Sequence, residues 1–284
     1  MLPTWHSRQG SALDRNGCLP GGYVALAMRV LRRLAREFGH ELTRAFPPGA
    51  DRIDLMARLR GKMRLADDDT LPFLRFCLEH LMESRSDIFQ DLLALHETGC
   101  QRGGVFVEFG AADGLTGSNS YLLESRYEWT GILVEPARSW HAELAKNRTC
   151  IVDHRCLTDR TGLRVLFRDC AERPLSTIES YKHADRFGGQ RAAAERYDVE
   201  TISLNDLLDQ HGVEKVDYLS VDTEGSELMI LTPFDFGRFR PRVITVEHGY
   251  VPERRAGLFE LLSRHGYRRR YESLSQIDDW YVRD

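Results

Sequence analysis

Ten residues, Val105 to Gly114 (VFVEFGAADG), limit what this chain can fold into more than any other stretch. Val105, Phe106, Val107 and Phe109 are the β-branched and aromatic residues of a strand covered on both faces. Gly110 and Gly114 supply backbone freedom where that strand ends. In an open α/β sheet the carboxyl ends of the strands are where ligands bind. The strand therefore predicts both a parallel sheet and the edge of it that carries the site.

The turn also narrows the ligand. Gly110 is followed by Ala111, Ala112, Asp113 and Gly114, so the G-x-G-x-x-G dinucleotide fingerprint is absent and a nicotinamide enzyme is disfavoured. Glu108 and Asp113 place carboxylates where a pyrophosphate needs neutral or positive surroundings. A ligand with a cationic group suits them, and S-adenosylmethionine carries both a sulfonium and an ammonium group. The turn residues Glu108, Gly110, Ala111, Asp113 and Gly114 are accordingly expected around its methionine end. Gly131 to Glu135 (GILVE) reads as a second buried strand ending in an acid, followed by Pro136. A carboxylate there, roughly 20 residues beyond a glycine turn, accepts hydrogen bonds from ribose hydroxyls. Glu135 thus supports a nucleoside cofactor, although an acid opening the helix that starts near Ala137 is the plainer alternative.

Composition sets outer bounds. The 284 residues are 42% hydrophobic and 29% charged, enough for one large α/β core plus an appendage. A net charge of −4 argues against nucleic-acid binding. Arg29, Arg32, Arg33 and Arg36, and later Arg268 to Arg270, read as solvated faces or edges. Six cysteines without a C-x-x-C pair suggest reduced thiols in a cytoplasmic protein. The best apolar stretch near the start, Tyr23 to Met28, is too short to be a membrane span or a secretory signal.

Periodicity divides the chain into a helical appendage over 1–100 and an α/β domain over 101–284. Helices are expected over Tyr23 to Phe38, Asp54 to Arg64, Leu71 to Met82 with Thr70 as N-cap, and Ile88 to His96. Strands follow at 105–109, 131–135, 150–156, 216–221 and 243–247, with an extra one at Leu163 to Phe167. The polar stretch 181–196 is expected to be a lid loop over the substrate side. A helix from Leu258 to His265 and a closing hairpin, 268–274 with 277–282, end the chain.

Later strands bring further acids to the same edge. Lys215 to Asp222 delivers Asp222, with Glu224 and Glu227 in the next turn, and Val243 to Glu247 delivers Glu247 and His248. His248 is the leading candidate for a base, with Asp222 second, and Glu224 and Glu247 are further catalytic candidates. Asp222, Glu224 and Glu247 would also suit Mg²⁺, which lowers the pKa of a bound hydroxyl. Ser118 and Asn119, at the start of the helix after the glycine turn, are candidates for the methionine carboxylate, and Cys156 with Leu157 for the adenine.

From Gly104 to the end, the VEFGAADG turn at Val107 to Gly114, the pair Ser118 and Asn119, and the DTEGSE segment at Asp222 to Glu227 stand in one order. In these markers the chain resembles the FkbM-type S-adenosylmethionine-dependent methyltransferases. The resemblance implies a Rossmann-like seven-stranded class I methyltransferase sheet. It also implies O-methyl transfer to a hydroxyl of a sugar or another small polar metabolite, a small-molecule or carbohydrate acceptor. The competing reading is a catalytically silent domain kept for protein interaction, but the cofactor turn and the acids of the sheet edge are both present. The helices of the first hundred residues are expected to pack on the catalytic domain or across a homo-oligomer interface.

Overall fold

The computed structural model describes residues 70–170, 175–184, 189 and 194–283. The helices expected over Tyr23 to Phe38 and Asp54 to Arg64 lie outside them. The described chain is a mixed α/β structure with a seven-stranded sheet in the order β3-β2-β1-β8-β9-β11-β10. Its strands are β1 Val105–Phe109, β2 Thr130–Val134, β3 Ile151–Asp153, β8 Tyr218–Val221, β9 Val243–Glu247, β10 Arg268–Arg270 and β11 Asp278–Val282. The first five of that order, from β3 to β9, are parallel to their neighbours. The terminal hairpin β10–β11 runs antiparallel, and β11 pairs antiparallel with β9.

The central strands are buried along their length because they are covered on both faces. Val107, Phe109, Ile132, Val134, Leu219, Val221, Ile244 and Val246 form the middle of one continuous core. Helices α3 (Tyr121–Tyr127), α4 (His141–Asn147), α5 (Leu204–Gln210), α6 (Glu227–Leu231) and α7 (Pro252–Arg264) fill the crossovers. Pro252 opens α7, where its missing N–H costs nothing.

Two earlier helices, α1 (Thr70–Glu79) and α2 (Gln90–Glu97), lie against this sheet. Phe73 of α1 stacks on Tyr271, with ring centroids 4.6 Å apart, and meets Trp280 of β11 edge-on at 5.9 Å. The Gln90 side-chain amide donates to Asp278 Oδ2 on β11 at 2.9 Å.

The stretch 150–156, expected to be one strand, is two strands in different sheets. β3 ends at Asp153, whose carboxylate accepts from the backbone N–H and guanidinium of Arg155, and this local turn redirects the chain. Cys156–Thr158 then forms β4 of a four-stranded sheet in the order β4-β7-β5-β6. Its other strands are β5 Arg164–Asp169, β6 Thr177–Ile178 and the nine-residue β7, Glu195–Ser203. β7 was not expected, and the predicted lid loop stops at its first residues. Part of that loop lies outside the described residues.

Candidate active site

The parallel register builds the site. Phe109, Val134, Val221 and Val246 stand level on four neighbouring strands. The next residue on each is Gly110, Glu135, Asp222 and Glu247, so one step along the chain brings three carboxylates and a glycine to a single edge. All four line a cavity of about 240 Å³. Its apolar wall includes Pro136, Trp140, Cys156, Leu157, Phe167 and Ile178, several of them from the four-stranded sheet.

Charge gives the cavity its character. Five carboxylates line it, from Asp87, Glu135, Asp222, Glu224 and Glu247, and among the described residues no lysine, arginine or histidine does. Burial pushes the Glu135 carboxyl up to about 7, even though Oε2 accepts from the Ala112 N–H and Oε1 from the Ala137 N–H, both at 2.8 Å. Those two bonds fix the carboxylate across the glycine turn and leave each oxygen a further lone pair. His141 and His154 stack at 3.7 Å, with ring nitrogens 3.1 and 3.3 Å from the Glu135 carbonyl oxygen.

Asp222 and Glu247 act on each other. Burial raises Asp222 to about 7 and lifts Glu247 well above the usual carboxylate range, with the Asp222 charge adding to the effect. Neighbouring carboxylates of this kind do not both ionise, so the pair retains one proton into the neutral range. Glu247 Oε2 is buried without a hydrogen-bond partner among the described residues. One oxygen each of Asp222, Glu224 and Glu247 lie within 4.8 Å of one another, an all-oxygen set of the kind hard divalent cations take. The turn that holds Glu224 is closed by Glu227, whose Oε1 accepts from Thr223 N–H at 3.1 Å and Gly225 N–H at 2.8 Å.

Other expected site residues do not line the cavity. Glu108 turns away from it: Oε1 accepts from the Asn119 N–H at 2.8 Å, and Oε2 accepts from the Ser118 and Ser120 hydroxyls. The wholly buried Arg148 guanidinium lies 3.8 Å from Glu108 and 2.5 Å from Glu124. Asp113 folds onto its own turn, accepting from Leu115 N–H at 2.8 Å and Thr116 N–H at 2.7 Å. Ser118 Oγ accepts from the Tyr121 N–H at the start of α3, and Asn119 donates to Ser220 Oγ at 3.0 Å. Ala111 is buried behind the turn, and Gly114 packs against Leu144 and Arg148. These residues shape the glycine turn from behind.

His248 is also turned away. Successive strand residues face opposite sides, so with Glu247 entering the cavity, the imidazole goes to the other face. There Nδ1 accepts from the Tyr250 N–H at 3.0 Å and Nε2 stands 3.9 Å from Asp279 Oδ1. Burial lowers the His248 pKa. Asp87, by contrast, lines the cavity without having been expected there, because it precedes β1 in a segment with no local motif.

The residues of the cavity fit S-adenosylmethionine. An apolar wall beside a doubly anchored carboxylate suits an adenosine, and an excess of carboxylates suits a sulfonium and an ammonium while repelling phosphates. The methyltransferase FkbM domain model matches residues 108–269, which is more than half of the chain and includes Gly110, Glu135, Asp222 and Glu247. The chain belongs to the FkbM methyltransferase family. In this FkbM domain the match begins at Glu108 and leaves out α1, α2 and Asp87. A solved structure, precorrin-6y C5,15-methyltransferase from Geobacter metallireducens GS-15, is similar at 13% identity over 63% of this chain and 71% of that one. The TM-score of the two is 0.37. No curated protein matches. No helix among the described residues of the FkbM protein is long and apolar enough to cross a membrane.

Proposed function

We propose that this FkbM protein is an S-adenosylmethionine-dependent O-methyltransferase acting on a hydroxyl of a sugar or another small polar metabolite. The observation that carries the reading is a cavity with five carboxylates and no basic side chain among the described residues, at the carboxyl edge of a parallel sheet. The seven-stranded sheet with its reversed edge hairpin supports a Rossmann-like class I methyltransferase architecture.

The cofactor supplies a methyl group on a positively charged sulfur. Glu135 holds the ribose hydroxyls, Pro136, Cys156 and Leu157 face the adenine, and the turn at Gly110 keeps the backbone close to the methionine end. Asp222 and Glu247 share one proton and take another from the acceptor hydroxyl near neutral pH. The pair assumes the role of base in place of His248, whose ring is absent from the cavity wall. Because α1, α2 and Asp87 meet the sheet or its cavity, the functional unit extends back beyond residue 100.

Calorimetric titration tests this. S-adenosylmethionine should bind saturably and NAD should not, and Glu135→Ala should weaken the S-adenosylmethionine affinity by about tenfold to a hundredfold. Folded protein that ignores S-adenosylmethionine would favour a silent interaction domain.

A second reading of the same acids rests on Glu247 Oε2 and the oxygen set it belongs to. A divalent cation such as Mg²⁺ held by Asp222, Glu224 and Glu247 would displace the shared proton and acidify the acceptor hydroxyl. Full turnover after exhaustive chelation would remove it.

A further inference from the structure

Asp87 reaches the cavity from the segment between α1 and α2, outside the seven-stranded sheet. That segment is fixed from below and from the side. Asp91, fully buried, accepts from the Ser86 hydroxyl at 2.6 Å, the Ser84 hydroxyl at 2.7 Å and the Arg85 N–H at 2.8 Å. Ser86 bridges to Gly117 in parallel fashion, tying the segment to the loop after the glycine turn. A Cβ added at Gly117 would stand 3.4 Å from Asp87 Oδ2, so the carboxylate lies over that loop. Phe89, two residues on, holds a left-handed φ of 73°, a conformation that bulky side chains seldom adopt.

The carboxylate presented in this way is exposed and makes no hydrogen bond or ion pair among the described residues. A buried acid, a strand-like bridge and a left-handed backbone residue thus hold in place a side chain that has no partner among the described residues. It lines the same cavity as Asp222, Glu224 and Glu247. Glu247, buried and with Oε2 unpartnered among the described residues, faces the same space.

Building on the proposed cofactor, we infer that Asp87 is a further binding residue that accepts hydrogen bonds from the α-ammonium group of its methionine moiety. An ammonium carries three N–H donors that need acceptors once water is displaced, whereas a sulfonium has none. An exposed, fixed carboxylate beside the glycine turn supplies such an acceptor with the right sign of charge. Asp87 lies outside the matched domain, so cofactor affinity in this protein depends on a segment that precedes it.

The test is calorimetric titration of the whole chain, wild type and Asp87→Asn, with four ligands. They are S-adenosylmethionine, S-adenosylhomocysteine, the desamino analogue of S-adenosylhomocysteine, and 5′-methylthioadenosine. Asp87→Asn should weaken the first two by about tenfold to a hundredfold and leave the last two unchanged. Equal weakening of all four would assign Asp87 a purely structural role, and loss with S-adenosylmethionine alone would assign it to the sulfonium. Either outcome overturns the inference, as does no change at all. Should the variant fail to fold, wild-type protein still decides: equal affinity for S-adenosylhomocysteine and its desamino analogue refutes the ammonium contact. Wild type that binds none of the four would instead remove the proposed function, and this inference with it.

Discussion

The main-chain carbonyl oxygen of Asp222 occupies the space that a side chain at Gly110 would need, since a Cβ there would stand 2.1 Å away. Gly110 also holds φ at +70°, in the left-handed region. The ends of β1 and β8 therefore approach closely at this point, and Gly110→Ala must both strain the turn and push Asp222 aside. We expect a loss of about 2–5 kcal/mol of stability from the two effects together. Gly103 has a similar φ of +68° but nothing within 4 Å of its Cβ position. Gly103→Ala should cost only about 1–2 kcal/mol, and urea titration of both variants separates strain from collision.

Arg148 neutralises the buried carboxylate network behind the glycine turn. Its side chain is fully buried and spans Glu108, Glu124 and the hydroxyls of Ser118 and Ser120. Arg148→Ala leaves buried acids unpaired and should destabilise the fold by about 3–5 kcal/mol. Arg148→Lys should recover little of this, because an ammonium cannot reach the same set of partners. Chemical denaturation reads both.

Methyl transfer should depend on the acidic pair. With an acceptor in hand, Asp222→Asn is expected to lower kcat/KM by about a hundredfold to ten-thousandfold and to abolish the limb of the pH–rate profile near pH 7. An unchanged limb in this variant would move the base elsewhere. His248→Ala should retain cofactor affinity within about threefold of wild type while unfolding earlier, since its imidazole holds the Tyr250 N–H outside the cavity.

Ligand-free protein should lose stability as pH rises from about 5 to about 8. Burial raises Glu135 and Asp222 to about 7 and Asp278 to about 8, all above the ordinary carboxylate range. In that window the folded state binds more protons than the unfolded state, so stability falls as pH climbs and the decline ends once pH passes the raised values. Tm measured by scanning calorimetry should drop by roughly 5 °C or more across the window. A rise in Tm over the same interval would contradict the buried-acid assignment.

Much of the sheet is legible from composition along the chain. β1, β2, β8 and β9 are short apolar runs flanked by glycine or charge, and each carries its site residue just at or beyond its end. Register then follows from parallel pairing, which is why Gly110, Glu135, Asp222 and Glu247 meet as expected. Side-chain direction is less legible. Glu108 looks like a ligand acid because it interrupts an apolar run, yet the buried Arg148 that neutralises it lies forty residues on and leaves no mark beside it. Glu247 and His248 are adjacent in sequence, and only the pleat decides which one enters the cavity. β7 escapes detection because its first half is exposed and polar, with burial confined to its later residues. Asp87 escapes because the contact that places its segment is the bridge of the neighbouring Ser86 to Gly117, in a loop beyond β1.

The four-stranded sheet leaves the main sheet after β3 and returns at β8, and it supplies Cys156, Leu157, Phe167 and Ile178 to the cavity wall. The acids of the cavity and much of its apolar wall therefore come from two different sheets of one chain. On the proposed reading the large sheet would supply the base and the ribose contact, and the small one would shape the space beside them.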